Sequence, residues 1–251
     1  MTPPVTCSTA GSIAVIEINN PPVNALSQAV RQGLRDAVVQ ADTDAAITAI
    51  VIIGAGRSFP AGADIKEFGQ PMQDPHLPDV IDRIESCSKP VVAALHGTAL
   101  GGGFEIALGS HYRIAAPSAQ VGLPEIHLGL IPGAGGTQRL PRLVGRGAAL
   151  RLLLTGDMID AAEAYRLGLV DQVTTADELI TTVRAVLGTM LANAPLAMAG
   201  CIEAVNRGQD VSLEEGCAIE SDFFGLLSST ADMKEGMRAF LEKRPPQFTG
   251  R

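Results

Sequence analysis

An apolar, β-rich run, Pro90-Val91-Val92-Ala93-Ala94-Leu95-His96-Gly97, is followed by Gly101-Gly102-Gly103 and then by Phe104-Glu105-Ile106-Ala107-Leu108. The first run reads as a buried strand and the last as a helix, so the chain is committed to a strand-to-helix unit with bare backbone at the junction. Glycine there lets a ligand approach the main chain closely. The first N–H groups of a helix lack intrahelical partners and carry the positive end of its dipole, which makes the Gly102 N–H a candidate donor to a developing oxyanion. Glu105 lies three residues further on, and helical side chains lean toward the N-terminus, so its carboxylate projects over the same end. The dipole favours its ionised form, which suits a base. The same residues also read as a flexible turn followed by a first-turn dipole partner, and the local pattern does not separate the two.

Two further segments belong with this one. Gly122-Leu123-Pro124-Glu125 offers a second carboxylate, itself also readable as a helix-start acid after proline. Ser58-Phe59-Pro60-Ala61-Gly62-Ala63-Asp64-Ile65-Lys66-Glu67 follows the strand-like Ala49-Ile50-Val51-Ile52-Ile53-Gly54, and so falls at the carboxyl end of a strand, where open α/β sheets bind ligands. Asp64 is placed to cap a short helix there, the simpler reading of that residue taken alone.

Strand-like segments near 12–18, 48–54, 90–96 and 111–116 alternate with helical ones near 27–41, 77–87 and 103–109, which predicts an α/β fold with a buried sheet. Beyond about Gly145 the pattern is helical, with segments at 161–167, 176–191, 196–206, 213–227 and 233–242. With 251 residues, 46% of them hydrophobic and 18% charged, the chain can bury a large core. No apolar run approaches the roughly 20 residues needed to span a bilayer. Met1-Thr2-Pro3-Pro4 begins neither a signal peptide nor an Arg-rich transit sequence, so the expectation is a cytoplasmic protein with no membrane partner.

A net charge of −8 disfavours general nucleic-acid binding. The histidines at 76, 96, 111 and 127 lack metal-ligand spacing and read as surface or locally hydrogen-bonded residues. Cys7, Cys87, Cys201 and Cys217 read as reduced thiols, by default small buried hydrophobes. Arg139, Arg142 and Arg146 form a basic cluster that reads as a solvated face or subunit contact rather than a phosphate site.

Four ordered motifs resemble the enoyl-CoA hydratase/isomerase (crotonase) family: Pro22-Val23-Asn24-Ala25-Leu26, Ala61-Gly62-Ala63-Asp64-Ile65, Gly97 through Glu105, and Gly129-Leu130-Ile131-Pro132-Gly133-Ala134-Gly135-Gly136-Thr137-Gln138-Arg139. The resemblance runs from about Ile13 to Phe248. Residues 103–115 and 121–125 look most like the hydratase half of bifunctional fatty-acid oxidation enzymes. The dinucleotide fingerprint of their dehydrogenase half has no suitable context here.

The resemblance implies a crotonase-like spiral of ββα units in residues 1–190 and a C-terminal helical region, 191–251, that forms trimers, often paired into hexamers. It implies an oxyanion hole made by the amides of Ala63 and Gly102, and two catalytic carboxylates. Glu105 would activate water, and Glu125 would exchange a proton with the alpha carbon. Contacts to a coenzyme A thioester fall on Ala25, Ala61, Asp64, Ile65, Lys66 and Lys243, the last sometimes reaching a neighbouring subunit. No cofactor is implied, coenzyme A being part of the substrate. Possession of both acids favours 2-enoyl-CoA hydration, with Δ3,Δ2-isomerisation and a non-catalytic RNA-binding role as the alternatives. Acyl chain length would be set by apolar segments such as 68–87.

Overall fold

The computed structural model describes residues 3–67, 69–71 and 73–251. The strands in chain order are β1 (Val5–Ala10), β2 (Ile13–Ile18), β3 (Ala49–Gly54), β4 (Val91–Leu95), β5 (Thr98–Leu100), β6 (Tyr112–Ala115), β7 (Gln120–Gly122), β8 (Ile159–Asp160) and β9 (Gln172–Val173). The α-helices are α1 (Gln28–Thr43), α2 (Leu77–Glu85), α3 (Gly102–Gly109), α4 (Gly136–Thr155), α5 (Ala161–Leu167), α6 (Leu179–Leu191), α7 (Pro195–Gly208), α8 (Leu213–Leu227) and α9 (Ala231–Glu242). Short 3-10 turns occupy Ile65–Glu67 and Pro124–Leu128.

The main sheet has the order β1-β2-β3-β4-β6-β9, antiparallel at its first pair and parallel thereafter. Its central strands are apolar on both faces because both faces are covered, as parallel sheets require. Ile50, Ile52, Val91, Ala93 and Leu95 point into the large core with α1, α2 and α3, while Ala49, Val51, Val92 and Ala94 meet Leu179, Val183 and Leu187 of α6. A second sheet, β5-β7-β8, pairs β5 with β7 in parallel and β7 with β8 antiparallel.

The strand expected over 90–97 forms as β4, and a further short strand follows it. β4 ends at Leu95, and Gly97 turns the chain at φ +55° into β5 of the second sheet. A Cβ at Gly97 would lie 2.0 Å from the Arg57 carbonyl oxygen, so only glycine fits that turn. The helix expected from 176 begins at Leu179, and the helical region expected beyond 145 already starts at Gly136, kinking at Gly145.

Of the four free thiols only Cys87 is buried, which corrects the reading of all four as core residues. Cys7 lies on outward-facing edge strand β1, and Cys201 and Cys217 lie on α7 and α8, whose faces are largely uncovered. Among the described residues no single helix is long and apolar enough to cross a membrane. The pair α6 and α7 passes by composition alone, but it is bent by 103° and α6 is packed on the sheet. The helices α7 and α8 pack on each other, and the tail folds back on α9, where Asp232 accepts the Thr249 and Gly250 N–H groups.

Candidate active site

Four stretches of main chain meet at the N-terminus of α3. Pro60–Ala63 is drawn in by three hydrogen bonds: Ala61 N–H donates to Val23 O, Leu26 N–H to Gly62 O and Leu100 N–H to Pro60 O. The approach at Gly103 is so close that a Cβ there would sit 1.8 Å from the Pro60 carbonyl oxygen. Gly101, at φ 53° and ψ −129°, donates its N–H to Gly122 O at 2.9 Å, and this ties the end of β7 to the start of α3. The turn that follows β7 therefore delivers Glu125 to the same place, with Oε1 3.1 Å from where a Gly101 Cβ would be. Ala63 pairs with Leu26 through the neighbouring Gly62 carbonyl, a bond that does not use the Ala63 N–H. Gly102 is the first residue of α3. Neither the Ala63 nor the Gly102 N–H has an acceptor among the described residues.

Glu105 is 2% exposed, and its Oε1 accepts the N–H groups of Ala134 and Gly136, each at 2.8 Å. Gly135 between them adopts φ +100° and caps α4, so the carboxylate sits in a concave main-chain nest at a helix N-terminus. Oε2 faces the other way, 3.9 Å from where a Gly102 Cβ would be. Burial pushes the Glu105 carboxyl above its ordinary range, against the opposing pull of the Gly136 and Ala134 N–H groups and of the Arg139 charge. Desolvation thus opposes the ionised form of Glu105 that the dipole of α3 favours. Glu125 is also shifted up, by burial first and by the nearby Glu105 charge, with its own N–H opposing. Its Oε2 is buried without a partner among the described residues. Two raised carboxyl groups thus flank two unused N–H donors, an arrangement able to polarise a carbonyl, hold a water and move protons beside it.

Residues 8–251 match the enoyl-CoA hydratase/isomerase family over nearly the whole chain. The chain belongs to this family. A Bacillus subtilis protein named "Probable enoyl-CoA hydratase" is 44% identical over 247 residues, 95% of each chain. A "Peroxisomal bifunctional enzyme" of Danio rerio is 55% identical over 163 residues, 65% of this chain and 23% of that protein. The crystal structure of an enoyl-CoA hydratase subunit from Geobacillus kaustophilus superposes with a TM-score of 0.93 at 40% identity, covering 99% of this chain and 98% of that one. The fold is therefore that of the crotonase-like hydratases, as the ordered motifs imply.

The family's other expected positions are less concentrated. Ala25 and Ala61 are partly buried on either side of the Leu26–Gly62 bond. Asp64 caps the 3-10 turn, its Oδ1 accepting the Lys66 N–H at 3.1 Å, and Ile65 and Lys66 are exposed on that turn. Glu67 at its end is gripped by Arg31, a buried side chain that also donates to the carbonyls of Leu26, Gln73 and Pro75. Lys243 is exposed in a left-handed conformation at the end of α9, and no described contact carries it to the site within one chain. Of the segment 68–87, Phe68 and Met72 lie outside the described residues, while Leu77 reaches within 2.6 Å of where a Gly102 Cβ would be.

Two groups central to the site carry no sequence-derived role. The nest residues Ala134 and Gly136 fall inside a quoted motif, but main-chain donors leave no side-chain signature; the Gly-Ala-Gly-Gly run was the available signal. Arg139 corrects the reading of a solvated cluster, since it is largely buried and paired with Glu85 and Asp82. Arg142 pairs with Asp210, and Arg146 is exposed. Among the described residues no three potential metal ligands cluster. Two cavities, about 400 Å³ beside the C-terminal tail and about 350 Å³ between α3, α4 and α7, lie apart from the two carboxylates.

Proposed function

We propose that this chain is a 2-enoyl-CoA hydratase, adding water across the double bond of a trans-2-enoyl-CoA to give the 3-hydroxyacyl-CoA. The observation that carries the reading is the convergence of Glu105 and Glu125 on the unpaired N–H groups of Ala63 and Gly102. The thioester oxygen accepts from those two amides. As water attacks the beta carbon, negative charge moves to that oxygen, and each donor contributes roughly 3–4 kcal/mol of stabilisation to the enolate. Glu105, its Oε1 anchored by Ala134 and Gly136, takes the proton of the attacking water on Oε2. Glu125 delivers a proton to the alpha carbon, and its raised affinity for protons suits a donor. Positioned acid–base groups add about 10²–10⁴-fold.

The CoA portion passes along Ala25, Ala61, Asp64, Ile65 and Lys66, whose main chain is set by the same bonds that orient Ala63. Lys243 serves a neighbouring copy, which is why it stands clear of its own site. The exposed faces of α8 and α9, on the 191–251 side of a division from the 1–190 core, form the contacts of a homotrimer or hexamer. No step calls for a metal or redox group, and neither nucleic acid nor a membrane has a part in it.

The test is hydration of crotonyl-CoA by Glu105→Gln and Glu125→Gln. Each is expected to lower turnover by at least about 10²-fold while a non-reacting CoA ester still binds, because each removes a proton-transfer group rather than a contact. Near-normal turnover in either variant overturns the two-carboxylate mechanism. Faster conversion of 3-enoyl-CoA to the conjugated isomer than hydration of the 2-enoyl ester would make isomerisation the main reaction.

A further inference from the structure

We propose that Arg139 is a positioning residue for Glu105, acting through the main chain of Ala134–Gly136, and that Glu85 of α2 holds Arg139 in place. The inference rests on the hydratase reading of Glu105. The peptide groups of residues 134–136 are used on both sides. Their N–H groups at 134 and 136 face the Glu105 Oε1, while the Ala134 carbonyl faces outward and accepts from Arg139 Nη1 at 3.1 Å. The guanidinium lies so close over Gly135 that a Cβ there would be 2.0 Å from Nη1, so arginine takes the space a side chain would need.

The remaining nitrogens of Arg139 form a two-point fork on Glu85, Nε to Oε1 at 2.9 Å and Nη2 to Oε2 at 2.6 Å, with Asp82 Oδ1 at 3.1 Å from Nη2. A planar fork fixes orientation as well as distance, which a lysine does not. Glu85 is itself pinned, since its carbonyl accepts from Asn206 Nδ2 at 2.7 Å and bonds His111 Nε2 at 3.0 Å. A continuous set of bonds thus runs from α7 and α2 through Arg139 to the nest around the catalytic carboxylate. Apart from Glu105 itself, no side chain but Arg139 bonds the Ala134–Gly136 main chain among the described hydrogen bonds.

The groups that bear electrically on Glu105 are few. Glu125 faces it from the 3-10 turn and Arg139 from α4, with Asp82 and Glu85 reaching it from α2 through Arg139. The strands β4 and β5 present no titratable side chain. Removing Arg139 loosens the N–H donors and withdraws a positive charge. Both changes favour protonated Glu105, so the acid limb of the kcat/KM profile moves to higher pH.

The experiment measures kcat, KM and that limb for Arg139→Met, Glu85→Gln and Glu105→Gln. For Arg139→Met we expect kcat to fall about 10- to 100-fold, the scale of a small misplacement of a reacting group, with KM changed less than about threefold. Its acid limb should rise by at least about half a unit. Glu85→Gln separates positioning from simple charge. Deleting a negative group lowers the limb by its field alone, whereas loosening the anchor raises it, and a rise is expected. Should Arg139→Met fail to fold, Glu85→Gln decides, and an unchanged or lowered limb there overturns the proposal. If Glu105→Gln abolishes turnover while folded Arg139→Met keeps the wild-type kcat and limb, the hydratase reading stands and the positioning role falls. If Glu105→Gln is active, both fall.

Discussion

The helices α3, of 8 residues, and α8, of 15, both carry large apolar side chains, yet every residue of α3 is buried and no residue of α8 is. In α3 close packing acts on the backbone. Its three glycines each leave no room for a Cβ, Gly103 against the Pro60 main chain and Gly102 and Gly109 against the Leu77 and Ile81 side chains, and its first N–H and Glu105 side chain are set relative to Ala63 and Glu125 by bonds from three separate segments. In α8 the large side chains face outward, with Leu213 84% and Phe224 76% exposed, and Phe240 of the adjacent α9 is 81% exposed. Apolar character thus does two jobs. In α3 it buries the segment that carries Glu105 and the Gly102 N–H; in α8 and α9 it leaves large apolar side chains uncovered.

The comparison is broken most sharply by one methyl group on α3. Gly103→Ala sets a Cβ 1.8 Å from the Pro60 carbonyl oxygen, a main-chain atom that cannot rotate away. Segment 60–63 must move from α3, and the Ala63 N–H moves with it. Turnover is expected to fall by about 10²–10³-fold, the cost of one misplaced oxyanion donor. Overpacking of about 1–3 kcal/mol should also lower the melting temperature. Steady-state kinetics with a thermal melt tests this, and a variant with wild-type turnover would show that the close approach has no part in the chemistry.

A smaller effect on turnover is expected on the other side of the comparison. Light scattering should give three or six times the 26.0 kDa chain mass, and Phe240→Asp should shift it toward one. Its kcat should stay within about threefold, because Glu105 and Glu125 lie within one chain, while KM rises if Lys243 serves a neighbour. A concentration-independent monomer in the wild type removes the assembly role of α8 and α9.

How much of this was legible beforehand follows from which signals are local. The strand–glycine–helix unit showed because hydrophobic period and glycine punctuation act within a few residues, and α8 was bounded at 213 and 227 by its own pattern. The short strand β5 at Thr98–Leu100 was hidden, since three residues between glycines carry no period of their own. The net upward shift on Glu105 was hidden too: the dipole is read from sequence distance, but burial depends on residues 134–136 brought from thirty positions away. Arg139 looked like one of three surface cations because its partners, Asp82 and Glu85, are more than fifty residues distant.

The smallest expected effect repeats the glycine-to-alanine change where nothing opposes it. A Cβ at Gly225 of α8 meets no atom within 4 Å, and the residue lies in a helix interior without positive φ. Alanine there lowers the entropy of the unfolded chain and raises helix propensity, gains of about 0.4–1 kcal/mol. For a chain of this length that corresponds to a rise in melting temperature of roughly 1–4 °C, with turnover unchanged. The outcome also reports on the assembly. A second copy packed tightly over Gly225 would turn the added methyl into a clash, so a fall in melting temperature together with a smaller scattering mass would place this position inside the subunit contact. A rise with unchanged mass would leave Gly225 facing solvent and confine the contact to the flanking side chains, Phe224 among them.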